Sequence, residues 1–144
     1  MSEGRAYSGS CLCGSVAYRF DGPISGVVCC HCTQCRKQTG HHFAAVVVAR
    51  ERFTLERDRT LAWFNSSGDA RRGFCNCCGS VLFWERSGLQ TVDVLAGGID
   101  GPLGVGVEAH VHVDNKGDYY EICGDARQYP ASRYRNMSWG DAHI

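Results

Sequence analysis

The sequence predicts an all-β domain. Three observations carry that expectation: apolar and polar residues alternate with a period of two in several short runs, turn-forming Gly, Pro, Asn and Asp punctuate those runs, and a single brief stretch has helical character. With 144 residues, 44% of them apolar, the chain is expected to fold as one domain over 1–144 with its own core.

The elements follow in order. Val16, Tyr18 and Phe20 alternate with Ser15, Ala17 and Arg19, and the run breaks at Asp21-Gly22-Pro23, which reads as strand then turn. Residues 27–30 form a second strand that ends in cysteine. The one helix is expected at Gln34-Cys35-Arg36-Lys37-Gln38, stopped by Gly40. Residues 43–49 are continuously apolar, as in a strand buried on both faces. Charges of both signs mix in Arg50-Glu51-Arg52 and Glu56-Arg57-Asp58-Arg59, which reads as a solvated face. A strand at 61–64 leads into the polar loop 65–69, another runs through 81–85, and 91–96 is β-rich before a Gly/Pro turn at 97–102. The clearest strand is the last: Val105, Val107, Ala109, Val111 and Val113 alternate with Gly106, Glu108, His110 and His112. Residues 131–144 read as a weakly ordered tail.

Ten cysteines are the chemical signature. Met1 to Ser10 are polar and lack the apolar stretch of a secretory leader, and no run approaches the ~18 apolar residues of a membrane span. The chain is therefore expected in the cytoplasm, away from membranes, where clustered thiols point to metal or redox chemistry instead of a disulfide framework. Fifteen basic residues balance fifteen acidic ones, so no sequence-wide field draws the chain to nucleic acid.

The cysteines fall into three clusters, Cys11-Leu12-Cys13-Gly14, Cys30-His31-Cys32-Thr33-Gln34-Cys35 and Cys75-Asn76-Cys77-Cys78-Gly79. That is more thiolate than one tetrahedral zinc ion takes, and suggests one closed site and one with a position left open. In an extended strand Cys11 and Cys13 direct both sulfurs to one face. Cys75 and Cys78 form a C-x-x-C turn that Gly79 allows to close tightly. Together these four read as a structural zinc site. Cys30, Cys32 and Cys35 then supply three ligands from one turn, a second site that His41 or His42 would close if it were purely structural. His31 is expected outside the ligand set. Cys29 in place of Cys30, and Cys77 in place of Cys75, are alternative registers, with a buried spectator thiol as the other reading of each. Cys123 is expected in the core of a late strand.

The stretches Gly9-Ser10-Cys11-Leu12-Cys13-Gly14-Ser15-Val16-Ala17-Tyr18, Cys30 to Gly40, and Arg72-Gly73-Phe74-Cys75-Asn76-Cys77-Cys78-Gly79-Ser80-Val81-Leu82 resemble the glutathione-dependent formaldehyde-activating enzyme family, or CENP-V/GFA domain, in order and spacing. The resemblance continues through Gly98-Ile99-Asp100 and 110–116 and covers about residues 9–130. It implies a β-tent (Mss-four-like) fold of small coiled antiparallel sheets, a structural zinc on Cys11, Cys13, Cys75 and Cys78, and a second zinc on Cys30, Cys32 and Cys35. The chain departs from the family in having Tyr119 where Trp is common, and in being shorter than the enzymes that gave the family its name.

The implied activity is that of a carbon–sulfur lyase adding a thiol such as glutathione to a small aldehyde such as formaldehyde, of the S-(hydroxymethyl)glutathione synthase type. Three protein thiolates on zinc leave a net charge of minus one, which Arg36 beside the last ligand is placed to offset, or to use instead in gripping a substrate carboxylate. His110 is the candidate proton donor to a forming alkoxide, if its strand face lines the pocket. Two other classes compete: a noncatalytic zinc module that binds a protein or nucleic acid, and a redox protein similar to methionine sulfoxide reductases, with Cys123 as nucleophile.

Overall fold

The structure, a computed structural model, describes residues 4–131. The tail expected at 131–144 lies outside them but for Ala131. The strands are β1 (Ala6–Ser10), β2 (Ala17–Asp21), β3 (Val27–Cys30), β4 (Phe43–Ala49), β5 (Phe53–Arg57), β6 (Leu61–Asn65), β7 (Ala70–Cys75), β8 (Val81–Arg86), β9 (Thr91–Leu95), β10 (Val107–Val111) and the two-residue β11 (Arg127–Gln128). One α-helix, α1 (Thr33–Thr39), interrupts them. The all-β expectation is met.

The strands group into a three-stranded sheet, β1-β2-β5, and an eight-stranded sheet, β11-β10-β3-β4-β9-β8-β7-β6. Pairing is antiparallel except that β10 lies parallel to both β3 and β11. Of the stretches read as a solvated face, Arg50–Arg52 form a 3₁₀ turn, while Glu56 and Arg57 end β5, a half-exposed edge strand of the three-stranded sheet paired with β2. Charges on an edge are consistent with strand structure, because they blunt pairing with other chains.

Two side-chain clusters fill the interior. The larger joins both sheets through Tyr7, Tyr18, Phe20, Val46, Phe83 and their neighbours, with Tyr18 packed edge-on to Phe83 at 5.1 Å between centroids. The smaller contains Val28, Phe43, Trp84 and Val111 together with Cys30, Cys32 and Cys35. Fully burying side chains such as Phe43 contributes roughly 1.5–3 kcal/mol each. Gly9 is fixed by crowding: a Cβ there would meet the Gly98 carbonyl oxygen at 2.5 Å, which lets β1 bridge to Ile99.

The helix ends as expected, since Gly40 takes φ 86° and its N–H donates to the Arg36 carbonyl. The last long strand is shorter than its alternation suggests. His112 adopts φ 56°, and residues Val113–Asn115 form a 3₁₀ turn. A left-handed backbone at a non-glycine residue ends the extended run regardless of the pattern beyond it.

Candidate metal centres

Cys11, Cys13, Cys75 and Cys78 converge, with all four sulfurs within 4.8 Å of one another. The route differs from the expected strand pair. Cys11 and Cys13 sit in a turn after β1, closed by the Gly14 N–H donating to the Cys11 carbonyl at 3.1 Å, and the turn, not strand pleating, brings their sulfurs to 3.6 Å. The C-x-x-C turn is as expected: Cys75 ends β7, Gly79 takes φ 79° and donates to the Cys75 carbonyl. The amides of Cys77 and Cys78 point to the Cys75 sulfur at 3.4 Å, and the Val16 amide to the Cys11 sulfur at 3.2 Å.

These sulfurs are suited to a cation. The Thr60 hydroxyl, 3.2 Å from the Cys75 sulfur, is the main reason its thiol is pulled down to about 5, with Ser15 and two backbone amides adding to it. The Ser80 hydroxyl at 3.1 Å does the same for Cys78, bringing it to about 7. Cys11 goes the other way, raised by burial. A tetrahedral zinc ion with Zn–S near 2.3 Å needs S···S edges of about 3.8 Å. The Cys11–Cys13 and Cys13–Cys75 edges are 3.6 and 3.8 Å. The four residues fit that ion.

Cys30, Cys32 and Cys35 form the second group, also with sulfurs within 4.8 Å and all three buried. Cys30 ends β3, Cys32 caps α1 and accepts the Cys35 N–H at 3.3 Å, and Cys35 lies in the first turn of the helix. Here burial dominates. It pushes the Cys30 thiol far up and Cys35 up to about 12, the latter partly countered by the positive charge of Arg72. Arg72, on β7 and 1% exposed, donates Nη2–H to the Cys35 sulfur at 3.5 Å and to the Gln34 side-chain oxygen at 2.9 Å. Buried thiols packed this closely give up their protons when a cation replaces them, so the donor set suits a soft divalent metal. Among the described residues no imidazole or carboxylate joins the three sulfurs.

The remaining site candidates are placed elsewhere. Strand pairing sets Val111 beside Cys30 and His110 beside Cys29. Val111 and Cys30 share the smaller core cluster, whereas Cys29 belongs to the larger one on the other face. His110 thus faces away from the three-cysteine group and meets His31, Nδ1 to Nε2 at 3.0 Å. The proton-donor role expected for it finds no contact with those thiols.

His31 also meets the Tyr120 hydroxyl through Nδ1. Burial, with the neighbouring imidazoles, holds it neutral, down to about 4. His41 meets the Tyr119 hydroxyl, and the His42 ring lies tilted against those of His31 and His41. Neither closes the second group.

Arg36 donates Nε–H to the Asn115 carbonyl at 3.0 Å. The guanidinium touching a thiol is Arg72's instead. Of the alternative ligands, Cys29 is a buried thiol outside both groups, while Cys77 is exposed and not a buried spectator. Cys123, expected in a core strand, is exposed and lies in irregular backbone.

Sequence reasoning missed Arg72, Thr60, Ser15 and Ser80. A signal for Arg72 was available: it lies three residues before Cys75, and on a strand that odd spacing turns it to the opposite face.

The fold and these two groups define an all-β protein with two cysteine clusters of metal-ligand geometry. The family described as glutathione-dependent formaldehyde-activating enzyme matches residues 6–115. An uncharacterized lyase of Schizosaccharomyces pombe is 26% identical over 124 residues, covering 85% of this chain and 90% of that protein. A crystal structure of a Rhodobacter sphaeroides protein aligns with a TM-score of 0.57 and 22% identity over 69% of this chain and 98% of that one, a likeness of fold. The chain belongs to the glutathione-dependent formaldehyde-activating enzyme family. Among the described residues no helix is long and apolar enough to cross a membrane.

Proposed function

We propose that this chain is a zinc-dependent carbon–sulfur lyase-type enzyme that joins a thiol such as glutathione to a small aldehyde such as formaldehyde. Cys11, Cys13, Cys75 and Cys78 hold a structural zinc, and Cys30, Cys32 and Cys35 hold a second. The observation that carries this reading is the contrast in ligand number: four convergent thiols at one group and three at the other. Family membership and the lyase name of the fission-yeast relative support it.

Cys30, Cys32 and Cys35 would hold the second zinc ion, which would supply the Lewis acidity that lowers the pKa of an incoming thiol toward neutral pH. The thiol sulfur forms a bond to the aldehyde carbon while the carbonyl π pair moves to oxygen. The thiol's proton ends on that oxygen, so no net acid or base is consumed, and the reverse step is C–S cleavage. In this reading Arg36, half-buried on α1, is the grip for a substrate carboxylate. None of the ten cysteines is in a disulfide, which is consistent with the reducing, cytoplasmic setting of this reading.

Calorimetric titration of glutathione into protein carrying two zinc ions, beside a Cys32→Ser variant, tests the reading. Binding to the parent alone is expected, followed by turnover with formaldehyde. Absence of binding to both overturns it.

A further inference from the structure

We infer that Arg72 is the built-in countercharge of the three-cysteine group, a positioning residue that sets how readily the group takes a divalent metal and then an anionic thiol. This rests on the three-cysteine group being the metal site proposed above.

Arg72 is 1% exposed, and a buried guanidinium is several kcal/mol less stable than a hydrated one unless its surroundings compensate. Its position is determined from several sides. Nη2 reaches the Cys35 sulfur at 3.5 Å and the Gln34 oxygen at 2.9 Å, and Nη1 reaches the Gln38 oxygen at 3.4 Å. Its guanidinium carbon lies 5.6 Å from the centre of the Phe43 ring. Three of these four neighbours belong to α1, the element that supplies Cys35, so the charge stays in register with the thiol whenever the helix is docked.

Charge arithmetic indicates what this does. Three thiolates and a divalent cation sum to minus one, and adding a substrate thiolate makes minus two. With Arg72 in contact the same states are neutral and minus one. Metal loading and thiol binding each add negative charge at this place, so a fixed positive charge favours both. A unit charge several ångströms away at an effective dielectric constant near 20 is enough to change either equilibrium by about tenfold or more. Strand β7 thereby serves both centres, with Arg72 beside one group and Cys75 in the other.

The test compares Arg72→Met, Arg72→Lys and Gln34→Glu in the full chain. Gln34→Glu places a carboxylate against Arg72, neutralising the charge while keeping the guanidinium, and removes the Gln34 amide N–H that donates to the Ser66 carbonyl at 3.0 Å. Zinc affinity of the second site is read by competition with a chromophoric chelator, and glutathione affinity by calorimetry across pH. Arg72→Met and Gln34→Glu are expected to weaken the second zinc by about tenfold or more, to leave the first unchanged, and to move glutathione binding to higher pH. Arg72→Lys should recover most of the affinity.

Unchanged second-zinc affinity in Gln34→Glu overturns the inference. So does a loss in Arg72→Lys equal to that in Arg72→Met, because the fork and not the charge would then matter. Should Arg72→Met fail to fold, Gln34→Glu still decides. If the parent binds two zinc ions but no glutathione, the lyase reading fails, while the countercharge is still judged from zinc affinity.

Discussion

The two cysteine groups use one side chain in opposite surroundings. At the four-cysteine group, hydroxyls of Thr60, Ser15 and Ser80 and backbone amides surround the sulfurs, and Cys75 and Cys78 are pulled down to about 5 and 7. At the three-cysteine group apolar packing pushes the thiols up, and a guanidinium reaches one of them. Neutral donors suit a metal that stays: in the proposed reading four thiolates would saturate the ion, while the amides hold the turns. A charged neighbour suits a metal whose coordination changes, since charge responds to each added anion at longer range than a hydrogen bond does.

The largest effect is expected from Cys75→Ser: metal binding at such sites is coupled to folding by ~10–16 kcal/mol, comparable to the whole stability of a typical domain. Circular dichroism should show loss of the fold. A folded Cys75→Ser protein with one zinc would mean that the four-cysteine group is not the structural tie.

Cys32→Ser should stay folded, retain one zinc by elemental analysis, and lose glutathione binding. Acid should then separate the groups without mutation. Protons compete with metal for each thiolate, and a thiol with a raised pKa holds its proton up to higher pH. The three-cysteine group is therefore expected to release its metal first as pH falls from neutral, and the four-cysteine group later, because Cys75 and Cys78 are depressed. A pH titration with a zinc-sensitive dye checks the order, and simultaneous release would contradict it.

Gly9→Ala, which drives a Cβ into the Gly98 carbonyl, should lower stability by about 1–3 kcal/mol without altering zinc content. Smallest of all, His110→Ala removes one hydrogen bond to His31 and should cost about 1 kcal/mol in a denaturant titration, with thiol binding unchanged. A large loss of turnover in that variant would return His110 to the chemistry.

What was legible in the sequence was local. Ligand spacings of two and three residues marked the cysteine clusters and Gly40 marked the stop of α1, although Cys11 and Cys13 were expected on a strand and lie in a turn. What was hidden depends on pairing between distant segments. Thr60 reaches Cys75 because β6 pairs with β7 in a register that sets Leu61 opposite Cys75, and no property of Thr60 itself reveals that. His110 sits on a well-predicted strand, yet which face meets the cysteines is decided by its alignment with β3. The reading of Cys123 as core relied on a strand that the backbone does not form.

Cys13 and Cys75 meet across 62 positions of chain, and this separation has a consequence for how the protein is made. Closing a loop of that length has an entropic cost on the order of 4 kcal/mol, and at ordinary translation speeds its two ends leave the ribosome roughly 3–12 s apart. During that interval Cys11 and Cys13, followed by Cys30, Cys32 and Cys35, are nascent thiols without their partners. On the proposed zinc reading, metal supply and reducing power during synthesis bear on the yield of native protein.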